Sequence, residues 1–153
     1  MKNIIKIIML SFIVMFLPIS AECVTIGTRC PVPENIIKKY EHQLNSPDVN
    51  IFWNVKRAQD KLVISGLVQN NYYAEISDVD LYVRIYNEKG QAIKTVHHYF
   101  INLESDQMLP FVAEFSTAQE ATNIQFLFDY NYAEWGYSVD NYGLFTVKIQ
   151  PRE

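Results

Sequence analysis

The sequence predicts an all-β fold, an antiparallel β-sandwich of about seven strands with one short helix on its N-terminal side. Apolar and polar residues alternate with a period of two from residue 49 onward, which is the pattern of half-buried strands. Residues typical of turns separate the alternating runs, which recur at the short intervals of a two-sheet sandwich. The chain has 153 residues, and the 132 that follow residue 21 suffice for one domain but not for two.

The alternation defines the individual strands. The runs are Val49–Val55, Leu62–Val68, Val79–Ile85, Ile93–Leu103, Leu109–Phe115, Ile124–Tyr130 and Phe145–Ile149. In the third run, the aliphatic residues alternate with Asp80, Tyr82 and Arg84. A slip of one residue would bury both charges unpaired, so we expect the aliphatic residues to face the core.

Residues 1–21 are typical of an export signal. Lys2 and Lys6 give a positive start, an apolar run covers Ile7–Leu17, and Pro18–Ala21 ends in small residues. The apolar run is too short for a good membrane-spanning helix, although a retained N-terminal anchor stays an alternative. We therefore expect an exported protein, periplasmic or extracellular, with no membrane span once the signal is cleaved after Ala21.

The predicted organisation continues with a disulfide-tied N-terminal segment at residues 22–48 and the sandwich at residues 49–153. Cys23 and Cys30 are the only cysteines, and an even pair in an exported chain favours a disulfide. Lipidation of Cys23 is the alternative, and the charged Glu22 before it argues against that processing. Two cysteines alone lack the ligands of a tetrahedral metal site, and a redox pair needs a Cys-x-x-Cys spacing.

The N-terminal segment is predicted to contain one amphipathic helix of about three turns. Its apolar residues recur at helical spacing: Ile36, Ile37, Tyr40 and Leu44. Pro33 suits the first turn of this helix, and the Asn-Ser-Pro sequence at residues 45–47 stops it. A helix this short does not stand alone, so we expect its apolar stripe to dock on the sandwich.

Two stretches resemble the FxLyD-type domains and, more distantly, the immunoglobulin-like water-stress domains of late embryogenesis abundant proteins. The first stretch is Ile64–Asn70, and the second is Val79–Gly90. Within the second, Val83–Asn87 stands in the slot of the Phe-x-Leu-Tyr-Asp signature, and Tyr86 is identical to it. Leu103–Asp106 is similar to the turn that these families place before a Phe-containing strand. The resemblance implies an immunoglobulin-like sandwich in an envelope or accessory module, and it carries no catalytic residue.

No residue pattern indicates catalysis, a metal site or a cofactor. His97 and His98 are adjacent on a predicted strand, so their side chains point to opposite faces and cannot easily share one metal. Asp78 and Asp80 share a strand face and could act as acid and base, but polar residues on a solvent face explain them more simply. No Gly-x-Ser-x-Gly elbow or Gly-rich phosphate loop is present. We therefore expect a protein that is not an enzyme and that uses no cofactor, with an enzyme of unrecognised type as the remaining alternative.

The acidic residues are concentrated in the C-terminal part of the chain. The net charge is −4, and no Lys or Arg lies between Thr95 and Val147. The carboxylates in this stretch are Glu104, Asp106, Glu114, Glu120, Asp129, Glu134 and Asp140. Such a one-signed region favours a cationic partner through long-range attraction, with ordinary solubility as the alternative interpretation. An acidic chain without a basic patch argues against nucleic acid as a partner.

Residues 129–143 have the composition of a binding loop, because aromatic residues are mixed there with Asn, Asp and Gly. We predict a loop between the last two strands that binds a ligand through Tyr132, Trp135, Tyr137 and Tyr142. Packing of these rings over the sandwich end is the alternative. The predicted function is a non-catalytic interaction module of the cell envelope. The alternative function is a soluble carbohydrate- or peptide-binding protein that uses the 129–143 loop.

Overall fold

The computed structural model describes residues 33–58, 61–116, 120–134 and 137–149. These residues form one short helix and a series of strands. The elements are Glu34–Ile37 (α1), His42–Asn45 (β1), Val49–Ala58 (β2), Lys61–Asn70 (β3), Ile76–Tyr86 (β4), Ala92–Leu103 (β5), Met108–Ser116 (β6), Asn123–Glu134 (β7) and Tyr137–Lys148 (β8).

The strands form two antiparallel sheets. The first sheet has the strand order β1-β2-β3-β6, and the second has the order β5-β4-β7-β8. Hairpins join β2 to β3, β4 to β5 and β7 to β8, whereas the chain crosses between the sheets from β3 to β4, from β5 to β6 and from β6 to β7. The fold is an immunoglobulin-like antiparallel β-sandwich, which confirms the predicted fold class.

The core lies between the two sheets, and the alternation along each strand decides which side chains enter it. The aliphatic residues of β4 that were expected to face the core are at most 1% exposed: Val79, Leu81, Val83 and Ile85. Asp80, Tyr82 and Arg84 between them are partly exposed on the other face. The prediction for this strand is confirmed, and it fixes which residues of the second sheet are available to a partner.

The prediction of a helix of about three turns is wrong. Only α1 forms a single helical turn, and His42–Asn45 pairs as β1 with the edge of β2, with Leu44 opposite Ile51. The side chain of Asn54 accepts a hydrogen bond from the Glu41 backbone N–H and donates one to the Lys39 carbonyl. These bonds attach residues 39–41 to β2 at the point where the chain leaves α1 and enters β1. Backbone pairing with β2 outweighs the weak helical preference of so short a segment.

Asn70 ties together two of the connections that cross between the sheets. Its side chain is fully buried; its Nδ2 donates hydrogen bonds to the carbonyls of Ala74 and Leu103, 2.7 and 2.8 Å away. Its Oδ1 accepts a hydrogen bond from the Tyr72 backbone N–H at 2.7 Å. The backbone of Asn70 also pairs with Asp106 and Gln107 in the β5–β6 connection. One buried amide thereby fixes two loops at the same end of the sandwich.

Several predictions concern residues outside the described part of the chain. The export signal at residues 1–21 and the proposed disulfide between Cys23 and Cys30 lie there. They stay predictions. Within the described residues, no helix is both long enough and apolar enough to cross a membrane.

Candidate functional site

Residues 129–143 form a strand hairpin rather than the predicted loop. Strands β7 and β8 pair without a register shift from Asn123–Lys148 to Glu134–Tyr137. Alternating polar and apolar residues run through this segment, and cross-strand pairing uses that alternation. Trp135 lies outside the described residues, and so does the side chain of Tyr137, which begins β8.

The hairpin places Tyr132 and Tyr142 on opposite faces of the second sheet. Tyr132 lies on the same face of β7 as Tyr130, which is 5% exposed and belongs to the core. Tyr142 lies on the outer face, is 82% exposed and stands opposite Asp129 of β7. Because side chains alternate along a strand, the two tyrosines cannot contact one ligand together. The structure therefore divides the predicted site into two surfaces.

The first surface, the tyrosine end, lies where the β3–β4 connection meets β7. The ring centroid of Tyr72 is 4.3 Å from that of Tyr132 and 4.2 Å from that of Tyr73. Tyr73 is 72% exposed. Below them, the Tyr130 hydroxyl donates a 2.9 Å hydrogen bond to Asp48 Oδ2. Burial, and then that carboxylate, raise the pKa of Tyr130, so the phenol stays protonated and holds the chain before β2 in place.

The second surface, the acidic face, is the outer face of the second sheet around Asp80 and Asp129. These two aspartates stand directly opposite each other on β4 and β7. On their outer sides, Tyr99 of β5 is opposite Asp80, and Tyr142 of β8 is opposite Asp129. The four strands therefore present one row in the order Tyr99, Asp80, Asp129, Tyr142.

The pairing of Asp80 with Asp129 works against the stability of the sheet. Directly opposite residues of antiparallel strands have their Cβ atoms about 5 Å apart, where like charges repel. His97 contacts the Asp80 carboxylate through Nε2 and can offset part of this repulsion when protonated. Asp129 is exposed, and no hydrogen bond or ion pair joins its carboxylate to another described residue. A surface that keeps such a pair is suited to receive a positive charge from outside.

Neighbouring side chains hold the two aspartates of β4 in fixed positions. The hydroxyl of Tyr99 donates a hydrogen bond to Asp78, and this bond raises the pKa of Tyr99. The ring of Tyr82 stacks on that of His97 with a centroid separation of 4.4 Å and an interplanar angle of 10°. His97 is thereby oriented toward Asp80.

Exposed apolar side chains surround the carboxylates. Four of the large exposed hydrophobic residues of the described chain lie on this face: Tyr99, Ile101, Tyr142 and Leu144. Ile101 is 60% exposed beside Asp78, and Leu144 is 60% exposed beside Tyr142 in the next row. The combination of aromatic and aliphatic area with charge is typical of protein-binding surfaces.

The arginine of the same face lies away from the aspartates and is engaged there. Arg84 stands two rows from Asp80, and its guanidinium donates hydrogen bonds to Thr95 Oγ1 at 3.0 Å and to Tyr86 Oη at 3.2 Å. Tyr86 in turn donates to Gln125 at 2.9 Å. This network keeps Arg84 from neutralising the row that contains Asp80 and Asp129.

The two adjacent histidines lie on opposite faces of β5. His97 is on the acidic face, whereas His98 points between the sheets, with its ring centroid 5.8 Å from that of Phe111. Burial, and then the neighbouring His97, lower the pKa of His98. In the described ranges, no group of three or more His, Cys, Asp or Glu side chains could hold a metal ion.

Two predictions made from the sequence fall on this surface and stay predictions. Tyr142 was predicted as a binding residue, and the acidic C-terminal region predicted a cationic partner. Tyr99 and the opposition of Asp80 to Asp129 were missed, because the pairing of β4 with β7 joins residues 49 positions apart. The available signal was an aspartate on the solvent-facing side of each strand, but the sequence alone does not show which residues of the two strands stand opposite each other.

Comparison with solved structures finds similar chains at low sequence identity. The protein is similar to the GAE domain of GGA2p from Saccharomyces cerevisiae, with 14% identity and a TM-score of 0.40 over 69% of this chain and 94% of that one. It is also similar to the yeast GGA1 GAE domain, with 16% identity and a TM-score of 0.42 over 69% and 97% of the two chains.

A third similar structure is the beta-glucuronidase of Bacteroides uniformis, with 15% identity and a TM-score of 0.38. The match covers 63% of this chain and 14% of the glucuronidase. No family model matches the chain, and no curated protein matches it. The resemblance to FxLyD-type domains accordingly stays a prediction.

Proposed function

We propose that the protein is an exported, non-catalytic interaction module of the cell envelope that binds a protein partner through its acidic face. The observation that carries this proposal is the row Tyr99, Asp80, Asp129, Tyr142, in which two opposed carboxylates are flanked by exposed rings. The export signal predicted at residues 1–21 and the resemblance to FxLyD-type domains support the cellular placement.

The chemistry of the row favours an arginine side chain of the partner. A guanidinium is planar and has five N–H donors, so it can donate to Asp80 and Asp129 at the same time. Rings on both sides allow the cation to lie against Tyr99 or Tyr142. Lysine would supply the charge without the double hydrogen bonding or the stacking.

The surrounding surface indicates an extended partner segment. The row crosses four strands, a distance of about 14 Å at the usual strand spacing. Ile101 and Leu144 lie in the rows on either side of it and are exposed. An arginine with apolar neighbours in an extended chain would fill this area, and the apolar contacts would supply affinity that salt does not screen.

Binding of an arginine peptide tests the proposal. The probe is an extended peptide with one central arginine between apolar residues, compared with the same peptide carrying citrulline, which is neutral and of the same shape. We expect the arginine peptide to bind more tightly and its affinity to fall with added salt. The double variant Asp80→Asn, Asp129→Asn should weaken binding about tenfold or more, because charge-assisted hydrogen bonds are lost.

A matched control separates this site from the overall negative charge. Glu88 and Glu120 are exposed in the β4–β5 and β6–β7 connections, outside the row. The double variant Glu88→Gln, Glu120→Gln makes the same change in net charge. We expect the control variant to bind the arginine peptide as the wild type does. Equal weakening by both double variants would show that only net charge matters, and the proposed site would be wrong.

The tyrosine end supports a second candidate function, binding of a carbohydrate or a peptide. The observation that favours it is the exposed ring of Tyr73, which lies against Tyr72 at a position where sandwich folds carry binding loops. A glycan panel should then raise the melting temperature of the wild type and not of a Tyr73→Ala variant. No shift with any glycan, together with arginine-peptide binding, would leave the acidic face as the functional surface.

A further inference from the structure

No described strand pairs with the outer edge of β8, and this edge differs from the other edges of the two sheets. Natural edge strands avoid pairing with other chains by being short or by carrying proline, lysine or a bulge. β1 has four residues, β6 contains Pro110 and Glu114, and β5 contains Lys94 and a residue at positive φ, Asn102. β8 has twelve residues, pairs with β7 on one side and has neither charge nor proline between residues 141 and 147.

The same strand exposes apolar side chains on both of its faces. On the outer face, Tyr142 and Leu144 are 82% and 60% exposed. On the inner face, Phe145 is 36% exposed, although its ring lies toward Trp53 of the core at 6.3 Å between centroids. A strand in the middle of a sheet would be covered on this inner face. Within the described part of the chain, β8 therefore has the surface of a strand that lacks a second neighbour.

We propose that β8 pairs with β8 of a second copy of this chain, antiparallel and about a two-fold axis. In a pairing centred on Leu144, Leu144 stands opposite its own copy and Tyr142 stands opposite Thr146. The charged residues of the strand, Asp140 and Lys148, then stand opposite each other, once on each side of the axis. Such a self-complementary patch is what a two-fold interface requires.

Charge favours a second copy as the occupant. β8 carries one Asp and one Lys and is neutral, although the whole chain has a net charge of −4. The nearest acidic residue of the acidic face, Asp129, lies on β7, so Asp129 and its copy would be separated by three strand spacings, about 14 Å. This distance exceeds the screening length of about 8 Å at physiological salt. The seam therefore joins complementary charges, and the acidic faces do not repel strongly across it.

The pairing would join the second sheets of two protomers into one continuous sheet. Because residues of equal parity face the same side, both acidic faces would lie on one surface of this sheet. The pairing does not depend on the proposed function, but it would present two binding rows to one partner and raise the avidity for a repeated basic segment.

Sedimentation equilibrium of the purified protein tests this inference. We expect the wild type to have twice the mass of one chain, and Leu144→Lys to shift the equilibrium to monomer because lysine protects an edge strand. Val112→Lys is the matched control, since Val112 is 50% exposed on β6, at the outer face of the other sheet. The control should stay dimeric. A wild-type monomer at all concentrations would overturn the proposal, whether the edge is then covered by the chain's own N-terminal residues or by another protein.

A charge exchange tests the register. Asp140→Lys places two lysines opposite each other and Lys148→Asp places two aspartates, so each single variant should weaken dimerisation about tenfold. The double variant restores opposite charges and should restore the dimer. A double variant that is as weak as the singles would contradict the pairing centred on Leu144. Lys148 lies three rows from the row that contains Asp80 and Asp129, so arginine-peptide binding by the monomeric Lys148→Asp variant tests the proposed function separately.

Discussion

Asp129→Asn should stabilise the protein while it weakens partner binding. The substitution keeps the size of the side chain and removes one of the two carboxylates that oppose each other across β4 and β7. The Asp129 carboxylate has no ion-pair or hydrogen-bond partner among the described residues, so it makes no polar contact that the amide would lose. The substitution therefore removes the repulsion from Asp80 and loses no stabilising contact of the side chain.

The expected gain follows from the geometry of the pair. Two like charges directly opposite on an antiparallel sheet cost about 0.2–1 kcal/mol near the surface. The contact of Asp80 with His97 reduces the repulsion when the imidazole is charged, so we expect about 0.5 kcal/mol. For a domain of this size, that free energy corresponds to a rise of about 2 °C in the melting temperature.

Thermal unfolding at low and high salt measures this effect. We expect the gain at low salt to shrink at high salt, because added ions screen the repulsion that the substitution removes. Glu88→Gln is the control, since Glu88 is exposed in the β4–β5 turn and no described carboxylate opposes it across a strand. A loss of stability in Asp129→Asn, or an equal gain in Glu88→Gln, would refute the reasoning.

Three further predictions concern the core and the N-terminal segment. Protonation of the half-buried His98 is disfavoured, since its pKa is lowered and its Nε2 is buried without a partner. The stability linked to neutral His98 is present above pH 6.5 and is lost as the pH falls through the lowered folded-state pKa. In urea titrations, His98→Leu should therefore lose less unfolding free energy than the wild type between pH 7 and pH 5. Asn70→Ala should destabilise the fold by about 3 kcal/mol in urea unfolding, because three buried hydrogen bonds lose their partner, and a loss below about 1 kcal/mol would contradict the assigned role. Cys23 and Cys30 should give no free thiols in exported protein without reductant, whereas two reactive thiols would exclude the disulfide.

The sandwich was predictable because its strands carry strong alternation. On β4, only one register places both Asp80 and Arg84 outside the core, and the structure has this register. The β1 strand was missed for the opposite reason. Ile36, Tyr40 and Leu44 also fit a helical period. Residues 42–45 form a strand because their backbone pairs with β2, and not because of a local sequence preference.

The candidate site was less predictable than the fold. The aromatic residues of 129–143 have the composition of a loop, but their alternation belongs to a hairpin that sends Tyr132 and Tyr142 to opposite faces. The acidic face depends on which strands become neighbours, since Asp80 and Asp129 meet only through the β4–β7 pairing. Composition predicts a cationic partner, whereas the acidic face that we propose for its binding depends on the order of the strands.

Chemical-shift mapping by NMR tests the central claim most directly. The arginine peptide is titrated into isotope-labelled protein, and the backbone amide shifts are followed. We predict the largest changes at Asp80, Tyr99, Asp129 and Tyr142, with small changes at Tyr73 and on the first sheet. The citrulline peptide should produce little change at the same residues. Shifts concentrated at the tyrosine end, or equal shifts with both peptides, would contradict the assignment of the acidic face as the functional surface.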